Sequence, residues 1–342
     1  MTELDALLAN PTLGRLIDLA SAAAGGVPIA LTDTEGRLLA GGPVAAGGSA
    51  LAVRVDGTTI GHVVCGAATP AGLAALVGAS LEVAITGARD HATRAREAQE
   101  LEIGRQIQRS LLPRRFPDVP GWRFAADYEP AREVGGDLYD VFRLRAGGDR
   151  VVLLIADVTG KGVPAALLMA DTKALLHAAA DNATGPADAM ARVNRILAIE
   201  RRSARFVSAA LAEVDARSGD VRLASAGHEP PLVIHADGLV EAMEASGPIL
   251  GAFAEATHEP GSFRIRPGES VVLYTDGITD ARNPDGAFYG EPRLREVLSG
   301  LAGATADDVR RAVVEDVRTF RAGADAYDDL TILVAEREPG GA

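Results

Sequence analysis

The stretch from Val151 to Ala170, VVLLIADVTGKGVPAALLMA, constrains the fold more than any other part of this chain. Its first five residues are all apolar, as in a buried β-strand, and Asp157 follows just past them. A glycine-containing turn comes next, and Pro164 then suits the first turn of a helix. The pattern therefore predicts a strand, a tight turn and a helix, with a carboxylate where a metal or a phosphate could bind.

Three kinds of site compete for this turn. Gly160, Gly162 and Ala165 give the spacing G-x-G-x-x-A after a strand, which imitates a dinucleotide-binding fingerprint. Asp157 argues against it, because a carboxylate there would repel a pyrophosphate. A P-loop is excluded, since Ile155 stands where glycine is required and Gly162 stands where Ser or Thr is required. The third kind is a divalent-metal site with Asp157 as a ligand, which requires carboxylates at other strand ends.

Composition limits the classes of protein to consider. The 342 residues suffice for one large or two ordinary domains, and the net charge of −13 disfavours binding to nucleic acid or to anionic membranes. The single cysteine, Cys65, permits no disulfide within the chain, which is typical of a reducing compartment. The first residues lack the pattern of a signal peptide, and no uncharged apolar run approaches the ~20 residues that span a bilayer. We expect a cytoplasmic protein that binds neither nucleic acid nor membrane.

Residues 1–69 predict a small α+β domain. A helical pattern over Leu4–Ala24 precedes two hairpins, one over Val27–Ala40 and one over Ala52–Cys65 with Asp56-Gly57 as its turn. In outline this resembles GAF or PAS sensor domains, although no ligand-binding signature stands out. A sensor role and a plain dimerisation or spacer role both remain open.

Residues 70–112 predict a long linker helix. Thr69 and Pro70 form a start signal, and Pro113 ends the helix after Leu112. Small and aliphatic residues follow a heptad spacing in its middle, at Leu81, Ile85, Ala88, Ala92 and Ala95. The seam favours a parallel coiled coil that joins two copies into a homodimer. Three glycines weaken the prediction of a continuous helix, and packing onto its own domain is the alternative.

Residues 113–342 predict a separate domain rich in strands. Two helices come together in its middle and two more near its end, which favours an α+β fold with mainly antiparallel sheets over the β-α-β alternation of dinucleotide-binding proteins. The predicted strands are Phe124–Tyr128, Leu138–Leu144, Val151–Ile155, Val207–Val214, Val221–Ala226, Leu232–His235, Ser270–Thr275 and Leu330–Ala335, and the predicted helices are Val163–Asp181, Pro186–Glu200, Glu291–Leu301 and Thr305–Arg321.

Aspartates stand at the borders of four predicted strands. Asp137 precedes one strand, and Asp157 and Asp276 follow two others. Either Asp328 or Asp329, just before the last strand, completes the set. A lone aspartate in a turn is usually a cap, but several buried together are costly unless a cation compensates them. Mg²⁺ and Mn²⁺ prefer such oxygen ligands, and two ions ~3.5–4 Å apart can promote attack on a phosphate ester.

Five segments in chain order carry a resemblance to a known family. They are EVGGDLYD from Glu133, ADVTGKGVPAALLM from Ala156, SAGHEPPL from Ser225, LYTDGITD from Leu273 and DDLT from Asp328. Across residues 105–335 they closely resemble the PPM-type (type 2C-like) metal-dependent serine/threonine phosphatases. The match is to the bacterial subgroup of the sporulation stage II E phosphatase and the sigma-B activators. The resemblance implies an α-β-β-α sandwich.

The resemblance also implies a site with two Mn²⁺ or Mg²⁺ ions. Asp157 would bridge both ions and the Val158 carbonyl would ligate one. Asp276 and Asp328 would ligate the other, and Asp137 would hold the cluster directly or through water. The implied nucleophile is hydroxide bound to the metal, with no phosphoenzyme. The implied substrate is a phosphorylated STAS-type anti-sigma-factor antagonist.

Departures from the wider family concern the groups around the metal site. Thr159 stands where other members of the family carry a proposed general-acid histidine. His228 could replace that acid, although its turn favours a structural role. Arg132 matches the position of a phosphate-binding arginine, and Lys161 lies within plausible reach of substrate. Two rival functions remain, a catalytically inactive regulatory scaffold with a phosphatase fold and a nicotinamide-dependent oxidoreductase.

Overall fold

The computed structural model describes residues 26–69 except 46 and 56, residues 108–340 except 133, 146, 147 and 200–204, and scattered positions within 15–22 and 75–106. The chain divides into two compact units, residues 1–100 and 101–342. Most of the predicted helix over 70–112, with its heptad seam and dimer contact, lies outside the described residues. Residues 104–106 and 108–111 are helical. The three-part division at residues 69 and 112 stays a prediction.

The first unit contains a four-stranded antiparallel sheet. Its strands are β1 (Ile29–Thr32), β2 (Leu38–Gly41), β3 (Ser49–Val55) and β4 (Thr58–Cys65), in the order β2-β1-β4-β3. Both predicted hairpins are present. One face of the sheet is buried against Ile17 and Val77. The other face borders a cavity of about 610 Å³, lined among others by Ala30, Thr32 and His62.

The second unit is built on two five-stranded antiparallel sheets. Its strands are β5 (Trp122–Glu129), β6 (Leu138–Arg143), β7 (Arg150–Val158), β8 (Val207–Asp215), β9 (Asp220–Ala226), β10 (Leu232–Ile234), β11 (Val240–Ala242), β12 (Gly261–Arg264), β13 (Ser270–Tyr274) and β14 (Leu330–Arg337). One sheet has the order β12-β9-β8-β7-β6 and the other β11-β10-β13-β14-β5. This antiparallel pairing excludes the parallel sheet that a dinucleotide-binding fold requires.

Helices cover the outer faces of the two sheets. They are α1 (Val163–Ala180), α2 (Pro186–Ile199), α3 (Asp276–Thr279), α4 (Gly290–Ser299) and α5 (Ala306–Arg321). Helices α1 and α2 pack on the sheet that contains β7, and α4 and α5 pack on the sheet that contains β14. The layers are therefore helices, sheet, sheet, helices, as predicted. No helix in the described part of the chain has the length and hydropathy to cross a bilayer.

The alternation of side chains along β7 leads directly to the functional site. Leu153 and Ile155 point into the core between the two sheets, whereas Val152 and Leu154 pack towards α1 and α2. Since side chains alternate along a strand, Asp157 continues the row of Leu153 and Ile155. The carboxylate therefore lies at the end of the layer between the sheets.

Candidate functional site

Strand β7 is longer than the sequence predicts. The prediction ends the strand at Ile155 and places Asp157 beyond it, but the strand continues to Val158. The reason is the ladder with β8, in which Asp157 pairs with Ser208 and Val158 with Val207. Asp157 is therefore held by a regular sheet instead of a turn, and its carboxylate has a fixed direction.

Asp137 lies just before β6 and is the most deeply buried of the predicted aspartate ligands, at 1% exposed. The hydroxyl of Thr275 donates a hydrogen bond to its Oδ2 at 2.7 Å, and the hydroxyl of Thr331 donates to the same oxygen. Burial raises the pKa of Asp137 well above its usual value, and the charges of Asp157 and Asp329 raise it further. The two hydroxyls oppose that shift and fix the carboxyl in place.

Asp157 and Asp276 show that the predicted ligands are close in space. Burial raises the pKa of Asp157 to about 7, with further contributions from the charges of Asp276, Asp328 and Asp329. Burial also raises the pKa of Asp276, and Asp328 again contributes. Asp276 is the first residue of α3, one position beyond the strand end that the sequence indicates. Segments distant in sequence thus meet in one acidic cluster.

The two adjacent aspartates before β14 have different surroundings. Asp329 is buried, and its two carboxylate oxygens accept hydrogen bonds from the backbone N–H groups of Ala131 and Gly136, at 2.7 and 2.6 Å. Asp328 is about one-third exposed and its Oδ1 lies 3.0 Å from Lys161 Nζ. The oxygens of Asp329 are therefore engaged in holding the loop, whereas Asp328 faces a cation.

The remaining predicted site residues fall at different distances from the cluster. The Val158 carbonyl oxygen and Asp157 Oδ1 both lie so close to Gly136 that a Cβ added there would be 2.6 and 3.3 Å from them. Lys161 pairs with Asp328 and also donates to the Tyr327 carbonyl. Arg132 is exposed, and no described residue pairs with it.

The chemistry of the cluster fits a hard divalent cation. Its donors are carboxylate oxygens and a backbone carbonyl, which Mg²⁺ and Mn²⁺ prefer. Burial first, and then the charges of neighbouring carboxylates, raise the pKa values of Asp137, Asp157 and Asp276, and a bound cation would offset both effects. Among the described residues, however, no three acidic, histidine or cysteine side chains are already grouped as ligands of one ion. Lys161 and the two threonine hydroxyls occupy oxygens that an ion would use.

His228 has the surroundings of a structural residue. Its Nδ1 lies 2.9 Å from the hydroxyl of Ser208, and its Nε2 is buried without a partner among the described residues. Burial lowers the pKa of His228 to about 4, so the imidazole is neutral at physiological pH. A neutral, buried imidazole is a poor source of a proton, which agrees with the structural interpretation of its turn.

Sequence reasoning missed the contact that supports the Gly135-Gly136 turn. Gln108 is 2% exposed, and its Nε2 donates to the Gly135 carbonyl at 2.7 Å. The Gly135 N–H donates back to Gln108 Oε1 at 3.1 Å. Gly104, in the helical residues 104–106, lies near Val134, since a Cβ added to it would be 3.5 Å from Val134 Cγ2. The helical residues 108–111 are therefore bonded, through Gln108, to the loop that carries Asp137.

A second missed contact joins the same helix to α1. Asp140 is buried, and its Oδ2 lies 2.8 Å from Lys173 Nζ and 2.9 Å from His177 Nε2. Lys173 also donates to the Leu111 carbonyl. Burial alone would raise the pKa of Asp140, but its bonds to His177 and Lys173 outweigh this and lower it. Asp140 therefore joins β6 to α1 from a position outside the acidic cluster.

Comparison with known proteins identifies the family. The family model "Stage II sporulation protein E (SpoIIE)" matches residues 147–338. The chain belongs to this family. The predicted resemblance to the PPM-type phosphatases, in their sporulation and sigma-B activator subgroup, is thereby confirmed.

Two characterised proteins are similar to this SpoIIE-family chain in sequence. It is 32% identical over 266 residues to protein IcfG of Synechocystis sp., covering 70% of this chain but 41% of IcfG. It is 25% identical over 240 residues to phosphoserine phosphatase RsbU of Bacillus subtilis, covering 70% of each. The chain thus spans less than half of the first relative's length.

Solved structures show the same fold. The SiaA-PP2C domain of Pseudomonas aeruginosa matches with a TM-score of 0.62 at 21% identity, covering 71% of this chain and 98% of that domain. The RsbU and RsbW domains of a Mycobacterium tuberculosis protein match with a TM-score of 0.56 at 27% identity, covering 65% and 62%. The second unit therefore has the PP2C phosphatase fold.

Proposed function

We propose that this protein is a metal-dependent phosphatase that acts on phosphoserine or phosphothreonine in a protein. The observation that carries the proposal is the burial of Asp137, Asp157 and Asp276 within range of each other's charge, in a fold shared with phosphatases. Membership of the SpoIIE family and similarity to a phosphoserine phosphatase support the reaction and the substrate class.

Two Mn²⁺ or Mg²⁺ ions would be held by four aspartates and one backbone carbonyl. The proposed ligands are Asp137, Asp157, Asp276, Asp328 and the carbonyl of Val158. We choose Asp328 over Asp329 because both oxygens of Asp329 accept backbone hydrogen bonds. When bound, such ions would supply an activated water and neutralise charge on the phosphate.

The chain's own cations would orient the phosphate. Lys161 lies 3.0 Å from Asp328 and can reach an anion bound beside it. Arg132 is exposed near the same loop and can turn towards a phosphate. Thr159 exchanges hydrogen bonds with the backbone of Phe206, so its hydroxyl is already engaged. We therefore assign the proton for the departing serine oxygen to solvent water.

The proposed substrate is a phosphorylated STAS-type anti-sigma-factor antagonist. Similarity to RsbU supports a phosphoserine protein, and the sporulation and sigma-B subgroup suggests this partner class. The proposed setting is the cytoplasm, with two copies joined through residues 70–112. The first unit is proposed to sense a signal, and the cavity of about 610 Å³ beside Thr32 and His62 offers room for a small ligand.

The deciding experiment is hydrolysis of p-nitrophenyl phosphate and of candidate STAS phosphoproteins with and without Mn²⁺. Metal-dependent turnover that is lost in Asp157→Asn and Asp276→Asn would support the phosphatase. Bound Mn²⁺ without turnover of any substrate would favour the inactive regulatory scaffold. A fluorescence titration that shows no binding of NAD(H) would exclude the oxidoreductase.

A further inference from the structure

Beside the acidic cluster, one arginine lies against two aromatic rings. The guanidinium carbon of Arg282 is 4.2 Å from the ring centroid of Tyr327 and 4.5 Å from that of Phe288. Both rings are about half exposed, at 52% and 53%. We call Arg282, Phe288 and Tyr327 the rim cluster. Because large aromatic residues are usually buried, this exposed group requires an explanation.

The backbone holds the rim cluster next to the proposed metal ligands. Arg282 and Phe288 pair across an antiparallel bridge, and Tyr327 immediately precedes Asp328. The ring of Tyr327 also has Lys161 Nζ at 5.6 Å from its centroid, and Lys161 in turn pairs with Asp328. The ring of Tyr327 therefore lies between Arg282 and the Lys161–Asp328 pair of the acidic cluster.

A second arginine in the same unit shows what is unusual about Arg282. Arg293 also stacks on two rings, at 5.3 Å from Tyr289 and 4.9 Å from Phe320. Its guanidinium, however, donates to both carboxylate oxygens of Asp316, at 2.8 and 3.0 Å. Arg282 has no such carboxylate among the described residues, and its buried Nε lacks any hydrogen-bond acceptor there.

Stacking leaves the binding capacity of a guanidinium intact. A guanidinium that lies over an aromatic ring keeps its N–H donors, which lie in the plane of the group and match the two oxygens of a carboxylate. Arginine and aromatic residues are also enriched at the centres of protein–protein interfaces. In a chain of net charge −13, a stacked arginine without a carboxylate is suited to an acidic partner.

We propose that the rim cluster binds the phosphoprotein itself, with Arg282 taking a carboxylate that flanks the phosphoserine and the two rings packing on the neighbouring chain. This proposal rests on the proposed phosphatase function. A flanking residue is favoured over the phosphate because the Tyr327 ring separates Arg282 from the Lys161–Asp328 pair, and an extended peptide advances about 3.5 Å per residue.

The test compares two phosphoserine peptides of equal length, one with Asp and Glu beside the phosphoserine and one with Asn and Gln there. Turnover of both, and of p-nitrophenyl phosphate, is measured with Mn²⁺ for the full chain and for Arg282→Gln and Arg282→Lys. Arg293→Gln is the matched control, since it removes a stacked arginine whose carboxylate partner is internal. We expect Arg282→Gln to lose about fivefold in kcat/KM on the acidic peptide, mainly through KM.

The pattern across substrates decides between recognition and structure. The proposal requires that Arg282→Gln leaves p-nitrophenyl phosphate and the neutral peptide unchanged, and that Arg293→Gln preserves the preference for the acidic peptide. It is overturned if Arg282→Gln keeps that preference, or if it lowers turnover of all three substrates equally.

A binding measurement separates this proposal from the proposed function. Fluorescence anisotropy of the labelled acidic peptide with the Asp157→Asn chain needs no turnover. Weaker binding on adding Arg282→Gln would support the rim cluster even if the wild-type chain hydrolysed nothing, in which case the phosphatase proposal alone would fail. Equal binding with and without Arg282→Gln would refute the rim cluster.

Discussion

At the scale of single residues, Asp157 makes stability depend on pH. Its folded pKa of about 7 is above the usual value of about 3.9, so the folded protein holds this proton more tightly than the unfolded chain. Its proton-linked contribution to stability is therefore full below about pH 4 and is lost as the pH rises to about 7. With EDTA present, we expect Asp157→Asn to raise the free energy of unfolding at about pH 8, on the order of 2 kcal/mol.

Urea denaturation at about pH 5 and about pH 8 measures this effect. The exposed turn residue Asp237 supplies the control, because Asp237→Asn removes a carboxylate that lies outside the acidic cluster. The same Asp157→Asn variant should lose on the order of 10³-fold in Mn²⁺-dependent hydrolysis, since metal coordination contributes several kcal/mol. If Asp157→Asn had the same pH dependence of unfolding as the wild-type chain, the Asp157 carboxyl would not have a raised pKa in the folded state.

Gly136 is a second residue on which the site depends. A Cβ there would lie 2.6 Å from the Val158 carbonyl oxygen and 3.3 Å from Asp157 Oδ1. We expect Gly136→Ala to displace these two proposed ligands, with activity and Mn²⁺ affinity falling by about a hundredfold or more while the fold persists. Isothermal titration with Mn²⁺ measures the affinity. Gly300→Ala is the control, because its nearest atom would be at 3.6 Å, and equal Mn²⁺ affinity in both variants would contradict the argument.

At the scale of elements, the side chain of Gln108 joins the helical residues 108–111 to the Gly135-Gly136 turn. In Gln108→Leu, the buried N–H and C=O of Gly135 would lose their partners, at a cost of about 1–3 kcal/mol each. We expect this cost to fall on the loop that carries Asp137, so that Mn²⁺ affinity and activity fall more than the melting temperature. Gln106→Ala is the matched control, because Gln106 is exposed and its side chain bonds Glu102 alone among the residues that the structure describes.

Hydrogen exchange can locate the effect of Gln108→Leu. Faster exchange confined to the turn around Gly135 would support a positioning role for Gln108. Exchange that rises equally throughout both sheets would show instead that the side chain contributes only to global stability. If Gln108→Leu and Gln106→Ala had the same Mn²⁺ affinity, activity and hydrogen exchange, Gln108 would have no role in positioning the site.

The elements themselves were largely predictable, for a physical reason. Strands such as β7 and β13 contain continuous apolar runs, over 151–156 and 271–274, because both faces of each sheet are covered. Helices such as α5 have clear periodicity. The missed elements, β11, β12 and α3, have three or four residues, too few for a period to show. The end of β7 was placed too early, because pairing with β8 is invisible in a local pattern.

The aspartates of the site were predictable from the sequence, but the contacts that position the residues around them were not. Four aspartates beside strand ends indicate a metal cluster, and the structure brings their charges together. Which of Asp328 and Asp329 has both carboxylate oxygens engaged depends on backbone N–H groups about two hundred residues earlier in the chain. The contact of Gln108 with Gly135 and the stacking of Arg282 on Tyr327 are equally non-local, so no spacing rule could have found them.

At the scale of the whole molecule, the question is how a signal in the first unit could change the activity of the second. We propose that a signal received by residues 1–69 passes along the predicted linker helix and reaches the loop that carries Asp137 through Gln108. The helical residues 104–106 and 108–111 of this predicted linker belong to the second unit, where Lys173 and Gln108 bond them to α1 and to the Gly135 turn. A change in the helix would therefore act on a proposed metal ligand two residues further along the loop.

Removal of residues 1–90 tests that communication. If the first unit sets the position of the helix, the truncated chain should keep its fold but change its Mn²⁺-dependent activity and lose any response to partner proteins. Activity against a phosphoserine protein and the midpoint of Mn²⁺ activation are the quantities to measure. Gln108→Leu in the truncated chain completes a double-mutant cycle, since coupled changes act non-additively. Strict additivity, or a truncated chain whose activity and partner response match the full one, would mean that the two units work independently.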